Sequence, residues 1–282
     1  MGNKDLSEKI LEDYNDVFAD IVNVLLFNGE QRIHPNSLEN SIVHSQYKAD
    51  DSQLHEQERD VSKTWKDYNI ELALYGLENQ TKLVDMMPLR VIGYDGASYR
   101  SQFQRQVKKA VPVITLVLYF GNLRWNKPKS LKELMDIPDG LDEYVNDYKI
   151  HVFEIAWLTE EQICKFKSDF RIVANFFVNR RKNKNYIPDD TTEIRHVDEV
   201  LKLLSVMTND KRYEKVIQNS KGVSNMCEVA ERLENIGRAE GRAEERMELI
   251  KTMLLNGKAP QEISDFCKIS IEEIEKVQSK MK

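Results

Sequence analysis

The chain has 282 residues, of which 41% are hydrophobic and 31% charged, and its formal net charge is −6. This length allows one large domain, or one domain with an appendage. A chain of this charge can hold nucleic acid only through a local basic surface, because phosphate contacts supply most non-specific affinity. Three cysteines without a Cys-x-x-Cys spacing support neither disulfides nor zinc. The sequence has no Walker loop, dinucleotide fingerprint or nucleophile elbow, so ATPase, dehydrogenase and serine-hydrolase functions lack support.

The amino-terminal region is predicted to contain one amphipathic helix over residues 8–28. Asp16, Asp20 and Asn23 lie on its polar side, which by itself indicates a solvated face. The first nine residues lack the apolar core of a signal peptide, and the longest apolar run, residues 111–120, is too short to span a bilayer. We therefore expect a cytoplasmic protein that does not contact a membrane.

A β-hairpin with a polar tip is the most informative local feature. Residues 32–58 are polar and are predicted to form a loop or short helix, with room for one strand. Strands follow at residues 60–65 and 70–80, and alternation in the second places Glu78 and Gln80 on one face. The pairing brings Asp60 beside Glu78. Two carboxylates at such a short distance usually share a cation or a proton. On the hairpin alone, Glu78 and Gln80 could equally be polar residues at a solvated strand edge.

A second helix is predicted to begin around residues 85–88 and to run to about Lys109, with a proline in its first turn. Two glycines weaken this helix, so a break near Asp95 is expected. Arg90 and Tyr94 are four residues apart and share a face. They could contact a phosphate or support Glu78, and support is the favoured role for Tyr94.

Two further strands complete the predicted sheet. Residues 111–120 are continuously apolar and β-branched, which is typical of a strand buried on both faces. A helix that connects the hairpin to this strand implies a parallel pairing. Residues 149–156 extend the sheet, and a short helix is predicted at residues 131–137. The order of elements predicts an α/β fold.

The remainder of the chain is predicted to be helical. The helices cover residues 159–181, 193–207, 210–220 and a segment from residue 222 onward. The last segment includes the charged near-repeat GRAEGRAEE, which is typical of an exposed helix or a hinge. Shorter helices follow from Pro260 through Cys267 and after the capping box at Ser270. The tail resembles a helix-turn-helix unit. The first residues of its last helix are acidic, and phosphate would repel them. We therefore favour a role of the tail in helix packing or dimerisation over a role in DNA reading. We assign residues 1–158 to a core, 159–220 to a helical extension and 221–282 to a charged helical region.

The order of the motifs is similar to that of a known family. The pairs and triplets Arg59-Asp60, Glu78-Asn79-Gln80, Met87-Pro88 and Tyr94-Asp95 resemble the PD-(D/E)XK nuclease family transposases, also called recombination-promoting nucleases or Rpn. The resemblance begins near residues 15–20, passes through residues 27–31 and reaches about Lys184. Gln80 stands where the founding superfamily has lysine, and this family commonly carries glutamine there. One departure is Arg59, which occupies the place of the proline.

The resemblance implies a restriction-endonuclease-like (PD-(D/E)XK) fold with an αβββαβ core, if one strand lies in residues 32–58, and a magnesium-dependent site. Asp60, Glu78 and Gln80 would be catalytic, with Mg²⁺ held by the two carboxylates and the backbone carbonyl of Asn79. Gln80 would orient the attacking water. Asp20 would be an accessory acid from the first helix. Because glutamine carries no positive charge, some stabilisation must come from the metal or from a nearby base such as Lys63 or Arg90. Lys63 is expected on the opposite face of its strand, which weakens its case.

DNA is the expected partner, and two basic clusters are candidates for holding it. Each cluster could also be a solvated helix end. The candidate residues are Arg100, Arg105, Lys108 and Lys109 in one cluster and Arg180 and Arg181 in the other.

The sequence therefore predicts a Mg²⁺-dependent DNA endonuclease associated with recombination or mobile elements, with a homodimer through the C-terminal helices as a further hypothesis. The alternatives are a catalytically decayed DNA-binding protein on the same scaffold and a helical protein-interaction module.

Overall fold

The computed structural model describes residues 10–41, 45–48, 54–57, 60–67, 70–218 and 221–281. The chain divides into two compact units, Met1–Met226 and Cys227–Lys282. The first unit contains a β-sheet and its surrounding helices, and the second contains helices within its described residues.

A five-stranded mixed sheet organises the first unit. Its strand order is β1 (Leu38–Asn40), β4 (Val61–Asp67), β5 (Ile70–Gln80), β6 (Val113–Tyr119) and β7 (His151–Glu154). The β1–β4 and β4–β5 pairs are antiparallel, whereas β5–β6 and β6–β7 are parallel. Strands β2 (Ser45–Lys48) and β3 (Leu54–Gln57) form a separate two-stranded sheet. The carboxyl ends of β5, β6 and β7 therefore meet at one edge of the main sheet.

Helix α1 (Asn15–Phe27) precedes the strands of this sheet in sequence, and helix α2 (Met87–Gln104) lies between β5 and β6. Helix α2 makes the connection between the parallel strands β5 and β6, as the sequence predicts. Strand β6 is buried along nearly its whole length because its apolar, β-branched residues face neighbours on both sides. A cluster that includes Met87, Val117 and Tyr119 joins α2 to β6 in the core.

Four more helices complete the first unit: α3 (Glu160–Lys165), α4 (Phe170–Lys182), α5 (Val197–Thr208) and α6 (Arg212–Gln218). Helix α4 buries an aromatic face, where Phe170 and Phe177 contact Phe120 at the end of β6. Residues 159–218 therefore belong to the same compact unit as the sheet.

The second unit contains α7 (Met226–Leu255), α8 (Pro260–Cys267) and α9 (Ile271–Lys280). The predicted helices at Pro260 and after Ser270 are confirmed, and the Ser270 side chain accepts a hydrogen bond from the Glu273 amide. The near-repeat around residue 237 is continuous helix. A small core of Ile250, Ile263, Ile274 and their neighbours joins the three helices.

Several sequence predictions are wrong in detail. The region 32–58, expected as loop or short helix, contains the 3₁₀ turn Pro35–Ser37 and the strands β1, β2 and β3. The first helix begins at Asn15, because Tyr14 before it has an extended backbone. Residues 159–181 form two helices, since the backbone is extended at Phe166. The predicted short helix at 131–137 is the 3₁₀ turn Lys132–Leu134.

Helix α2 does not break near Asp95 and ends at Gln104, five residues before the predicted end. Asp95 is buried and accepts hydrogen bonds from the hydroxyls of Thr115 and Tyr148, which fasten the middle of the helix to β6 and to the loop before β7. These contacts outweigh the cost of the two helical glycines, which is about 1 kcal/mol each.

Some predicted features lie outside the described residues: Arg59, the tip of the hairpin turn at Tyr68 and Asn69, and the end of the helix predicted at 210–220. Within the part of the chain that the structure describes, no helix is both long enough and apolar enough to cross a bilayer.

Candidate active site

Glu78 lies at the carboxyl end of β5, in the interior of the sheet. It pairs with Val117 of β6, and only 4% of its surface is exposed. Gln80 follows on the same face and pairs with Tyr119. A glutamate buried to this degree is rare unless another group compensates its charge.

Asp60 lies opposite Glu78 across the hairpin. Val61 pairs with Leu77, and Asp60 and Glu78 are the next residues beyond that pair. The Asp60 Oδ2 accepts a hydrogen bond of 2.7 Å from the backbone amide of Asn79. The predicted proximity of the two carboxylates is therefore confirmed, while their chemical role remains a prediction.

Three neighbouring side chains contact the Glu78 carboxylate. Its Oε1 accepts hydrogen bonds of 3.0 Å from Gln80 Nε2 and 3.0 Å from an Arg90 guanidinium nitrogen. Tyr94, one turn after Arg90 on α2, donates its hydroxyl to the same carboxylate. The predicted shared face of Arg90 and Tyr94 thus points at Glu78.

The electrostatics of Glu78 are unusual for a glutamate. Burial and, to a smaller extent, the negative charge of Asp60 raise its pKa to about 7, against the opposing effects of Arg90, Tyr94 and Gln80. Its second oxygen, Oε2, is buried without a hydrogen-bond partner among the residues that the structure describes. Such a group favours a proton or a cation at that oxygen.

Glu12 is a site residue that the sequence analysis missed. It lies in the turn before α1, is fully buried, and its Oε1 accepts a hydrogen bond of 3.1 Å from Asn79 Nδ2. Burial raises the pKa of Glu12 to about 7, and the Asp60 charge also raises it. Its Oε2 has no hydrogen-bond partner in the described parts of the chain. No sequence signal marks Glu12, because acidic residues near a helix start are ordinary.

Asp20, predicted as the accessory acid, has a different environment. Its Oδ2 accepts hydrogen bonds of 2.7 Å from each of the backbone amides of Lys167 and Ser168, in the turn between α3 and α4. Burial raises its pKa despite these bonds. Its Oδ1 is buried without a hydrogen-bond partner among the described residues, and the accessory role stays a prediction. Glu12 is the acid from this region that contacts the Glu78-Asn79-Gln80 triplet.

Lys63 is buried on the face that its spacing predicts. Its ammonium donates to the Asp13 carbonyl at 2.8 Å and to the side chain of Asn40. These bonds hold the segment before α1 against β4 and β1. The positive group at Glu78 is Arg90.

The two predicted DNA-binding clusters differ in how many of their residues contact other parts of the protein. Arg105 forms an exposed ion pair with Glu71 at 3.0 Å. Arg181 donates to the Ala156 carbonyl at 2.7 Å and stacks on Trp157, while Arg180 lies over the ring of Phe176. The other predicted residues of the first cluster, Arg100, Lys108 and Lys109, are exposed.

The side chains at the carboxyl end of β5 offer Mg²⁺ two carboxylates and no third acidic ligand among the described residues. Within the described ranges, no group of three or more His, Cys, Asp or Glu side chains could hold a metal ion. Mg²⁺ usually keeps several waters and uses one or two carboxylates, so Asp60 and Glu78 are sufficient in number. Oε2 of Glu78, which has no hydrogen-bond partner among the described residues, could accept a metal ion.

Together, the mixed sheet and the paired carboxylates at the strand end define an α/β architecture compatible with the nuclease-like class. A family model described as "Putative transposase, YhgA-like" matches residues 64–210. The chain therefore belongs to this YhgA-like transposase family, within the PD-(D/E)XK Rpn-like group, and the resemblance found in the sequence is confirmed. The matched segment contains Glu78, Gln80, Arg90 and Tyr94 and begins four residues after Asp60. Searches of curated proteins and of solved structures gave no significant match.

Proposed function

We propose that the protein is a metal-dependent DNA endonuclease with a PD-(D/E)XK core, acting in recombination or on mobile elements. The observation that carries the proposal is the buried Glu78 carboxylate, which lies near the carboxylate of Asp60 and whose Oε2 has no hydrogen-bond partner in the described ranges. A protein stabilises such a pair with a cation or a proton. Membership of the transposase family supports DNA as the substrate.

Asp60 and Glu78 would hold Mg²⁺, and the Asn79 carbonyl is a candidate third ligand. When bound, the ion would relieve charge on the phosphoryl oxygens and lower the pKa of a coordinated water. Gln80 donates to Glu78 and has a carbonyl oxygen left to orient a water. The Arg90 side chain is 45% exposed while it is bound to Glu78, so a phosphate could approach its guanidinium group.

Glu78 must lose its proton to act as a ligand. Below about pH 7 it would be protonated in the absence of metal, and a cation binding there would displace the proton. Arg90 and Tyr94 favour the ionised form, because each stabilises negative charge on the carboxylate. Burial thus raises the pKa of Glu78, and these two contacts lower it.

The decisive experiment is cleavage of supercoiled plasmid by purified protein with Mg²⁺, beside the Asp60→Ala and Glu78→Ala variants. Nicking or linearisation by the wild type alone supports the proposed site. Equal cleavage by all three proteins would mean a contaminant or another site, and the proposal would be abandoned.

A second candidate is a DNA-binding or protein-interaction module that has lost cleavage. The ion pair between Arg90 and Glu78, 3.0 Å long, favours it, because an arginine already neutralises the buried carboxylate. A DNA-binding module predicts DNA binding that needs no magnesium and survives Glu78→Ala, whereas a protein-interaction module predicts no DNA affinity at low salt.

A further inference from the structure

A groove of about 470 Å³ opens beside the strand end. It begins at Asn79 and Gln80, continues through Thr81 and Lys82 after β5, and is closed on one side by the start of α2. The last turn of α5 forms the opposite side, with Val206 and Met207. All of these residues lie in the first compact unit.

The first wall of the groove is cationic. Lys82 and Arg90 are the charged residues among those that line it, and both are exposed. The lining residues include no acid, in a chain whose net charge is −6. The start of α2 adds partial positive charge, since Met86 provides no side-chain cap for the helix. This wall therefore suits a phosphate group.

The second wall is apolar. Val206 is 74% exposed. Met86, which lies just before α2 on the other side of the groove, is 58% exposed, so two exposed apolar side chains line the groove. Val206 and Met207 lie at the carboxyl end of α5, whose partial negative charge disfavours phosphate. A sugar or a base face, which is apolar and uncharged, matches this side better.

We infer that this groove is a nucleotide subsite for the DNA strand next to the bond that is cut. The phosphate of that nucleotide would lie against Lys82 and Arg90, and its sugar and base would pack on Val206, Met207 and Met86. Gln80 and Arg90 belong both to the groove and to the candidate active site, so a strand in the groove leads directly to Glu78. This inference rests on the proposed function for the identity of the strand.

The test uses matched pairs of variants of the full chain. Val206→Glu adds a negative charge to the apolar wall, and Ile187→Glu does the same at an equally exposed position, 74%, on the α4–α5 loop. Lys82→Glu reverses the charge of the cationic wall. Lys149→Glu is its control, because it reverses an exposed charge just before the amino-terminal end of β7. Circular dichroism melts would verify that all four variants fold.

Binding of a fluorescein-labelled DNA oligonucleotide is measured by anisotropy in EDTA, and plasmid cleavage with Mg²⁺ is measured in parallel. We expect Val206→Glu and Lys82→Glu to weaken binding about tenfold or more, with Ile187→Glu and Lys149→Glu within about twofold of the wild type. Lys82→Ala should also reduce the slope of log Kd against log salt by about one.

The outcomes separate this inference from the proposed function. If the groove variants bind DNA as tightly as their controls while the wild type cleaves plasmid, the groove assignment falls and the nuclease stands. If the groove variants lose binding but no protein cleaves, the groove stands and the nuclease falls. If the wild type binds no DNA at low salt, the groove assignment is wrong.

Discussion

Acidic side chains are held in opposite ways in the two units of this molecule. In the first unit, Glu12 and Glu78 are buried, and each has one oxygen without a hydrogen-bond partner in the described parts of the chain. In the second unit, Glu234 and Glu248 are exposed and pair with Arg238 at 2.6 Å and Lys251 at 2.8 Å along one helix. The residue type is the same, but its environment differs.

The difference teaches that burial, and not the number of acids, distinguishes a candidate site from a solvated face. The second unit is rich in glutamate, yet exposed pairs three or four residues apart stabilise a helix by only about 0.2–0.5 kcal/mol. The acids at the strand end are desolvated near a second carboxylate, so their protonation is coupled to folding and to cation binding. Variants of each environment test this contrast.

The largest effect is expected from Glu78→Gln. The amide of glutamine is neutral and binds Mg²⁺ more weakly than a carboxylate, so Mg²⁺-dependent plasmid cleavage should fall by at least about 100-fold. The same change removes a buried charge, so the melting temperature in EDTA should stay equal or rise. The measurements are a cleavage time course and a thermal melt. Glu234→Gln in the second unit is the control, and a melting temperature well below wild type would show that Glu78 is chiefly structural.

Glu12→Gln should change the pH dependence of stability. The folded protein keeps a proton on Glu12 up to about pH 7, whereas the unfolded chain loses it near pH 4.5. This contribution is therefore complete below pH 4.5 and is lost as the pH rises to about 7, by an amount on the order of 3 kcal/mol. Urea unfolding in EDTA at pH 5 and pH 7.5 should show a smaller decline for Glu12→Gln than for the wild type. Parallel declines in the two proteins would refute the role of burial at Glu12.

Arg90→Gln should shift the pH profile of cleavage. The guanidinium opposes the rise in the pKa of Glu78, so its removal should move the rising limb of the activity profile to higher pH. We expect about a tenfold loss of kcat/KM at pH 7 that is partly recovered at pH 8.5. Arg238→Gln is the comparison variant. A uniform loss at every pH would instead indicate that Arg90 acts only on the phosphate.

The smallest effect is expected from Arg238→Ala. Its partner Glu234 is 62% exposed in its side chain, so loss of the pair should change the free energy of unfolding by less than about 0.5 kcal/mol. Chemical denaturation at low and high salt measures this change. A larger value would mean that the acids of the second unit are not merely a solvated face.

The sequence was sufficient for the features that depend on local pattern. Alternation in β5, the apolar run of β6 and the intervening helix predicted the strands that hold Glu78 and Gln80 and their parallel pairing. The hairpin also predicted that Asp60 would lie near Glu78, and motif order predicted the family.

The features that depend on distant contacts could not be read from the sequence. Glu12 and Asn79 are 67 residues apart in sequence, and only the fold brings their side chains together. Asp20 and Ser168 are 148 residues apart, so the capping of a turn by Asp20 was equally hidden. The sequence left room for one strand in residues 32–58, where the structure has β1, β2 and β3, because a polar segment lacks the apolar alternation of a central strand.

Asn79 contacts two acids through two different parts of its structure. Its amide N–H holds Asp60, and almost any residue supplies that group, whereas only its side chain reaches Glu12. During divergence, position 79 can therefore change without removing the Asp60 contact, but each change alters the surroundings of position 12. Positions 12 and 79 should thus vary together among relatives, and loss of the pair would mark an intermediate stage between an intact site and a lost one.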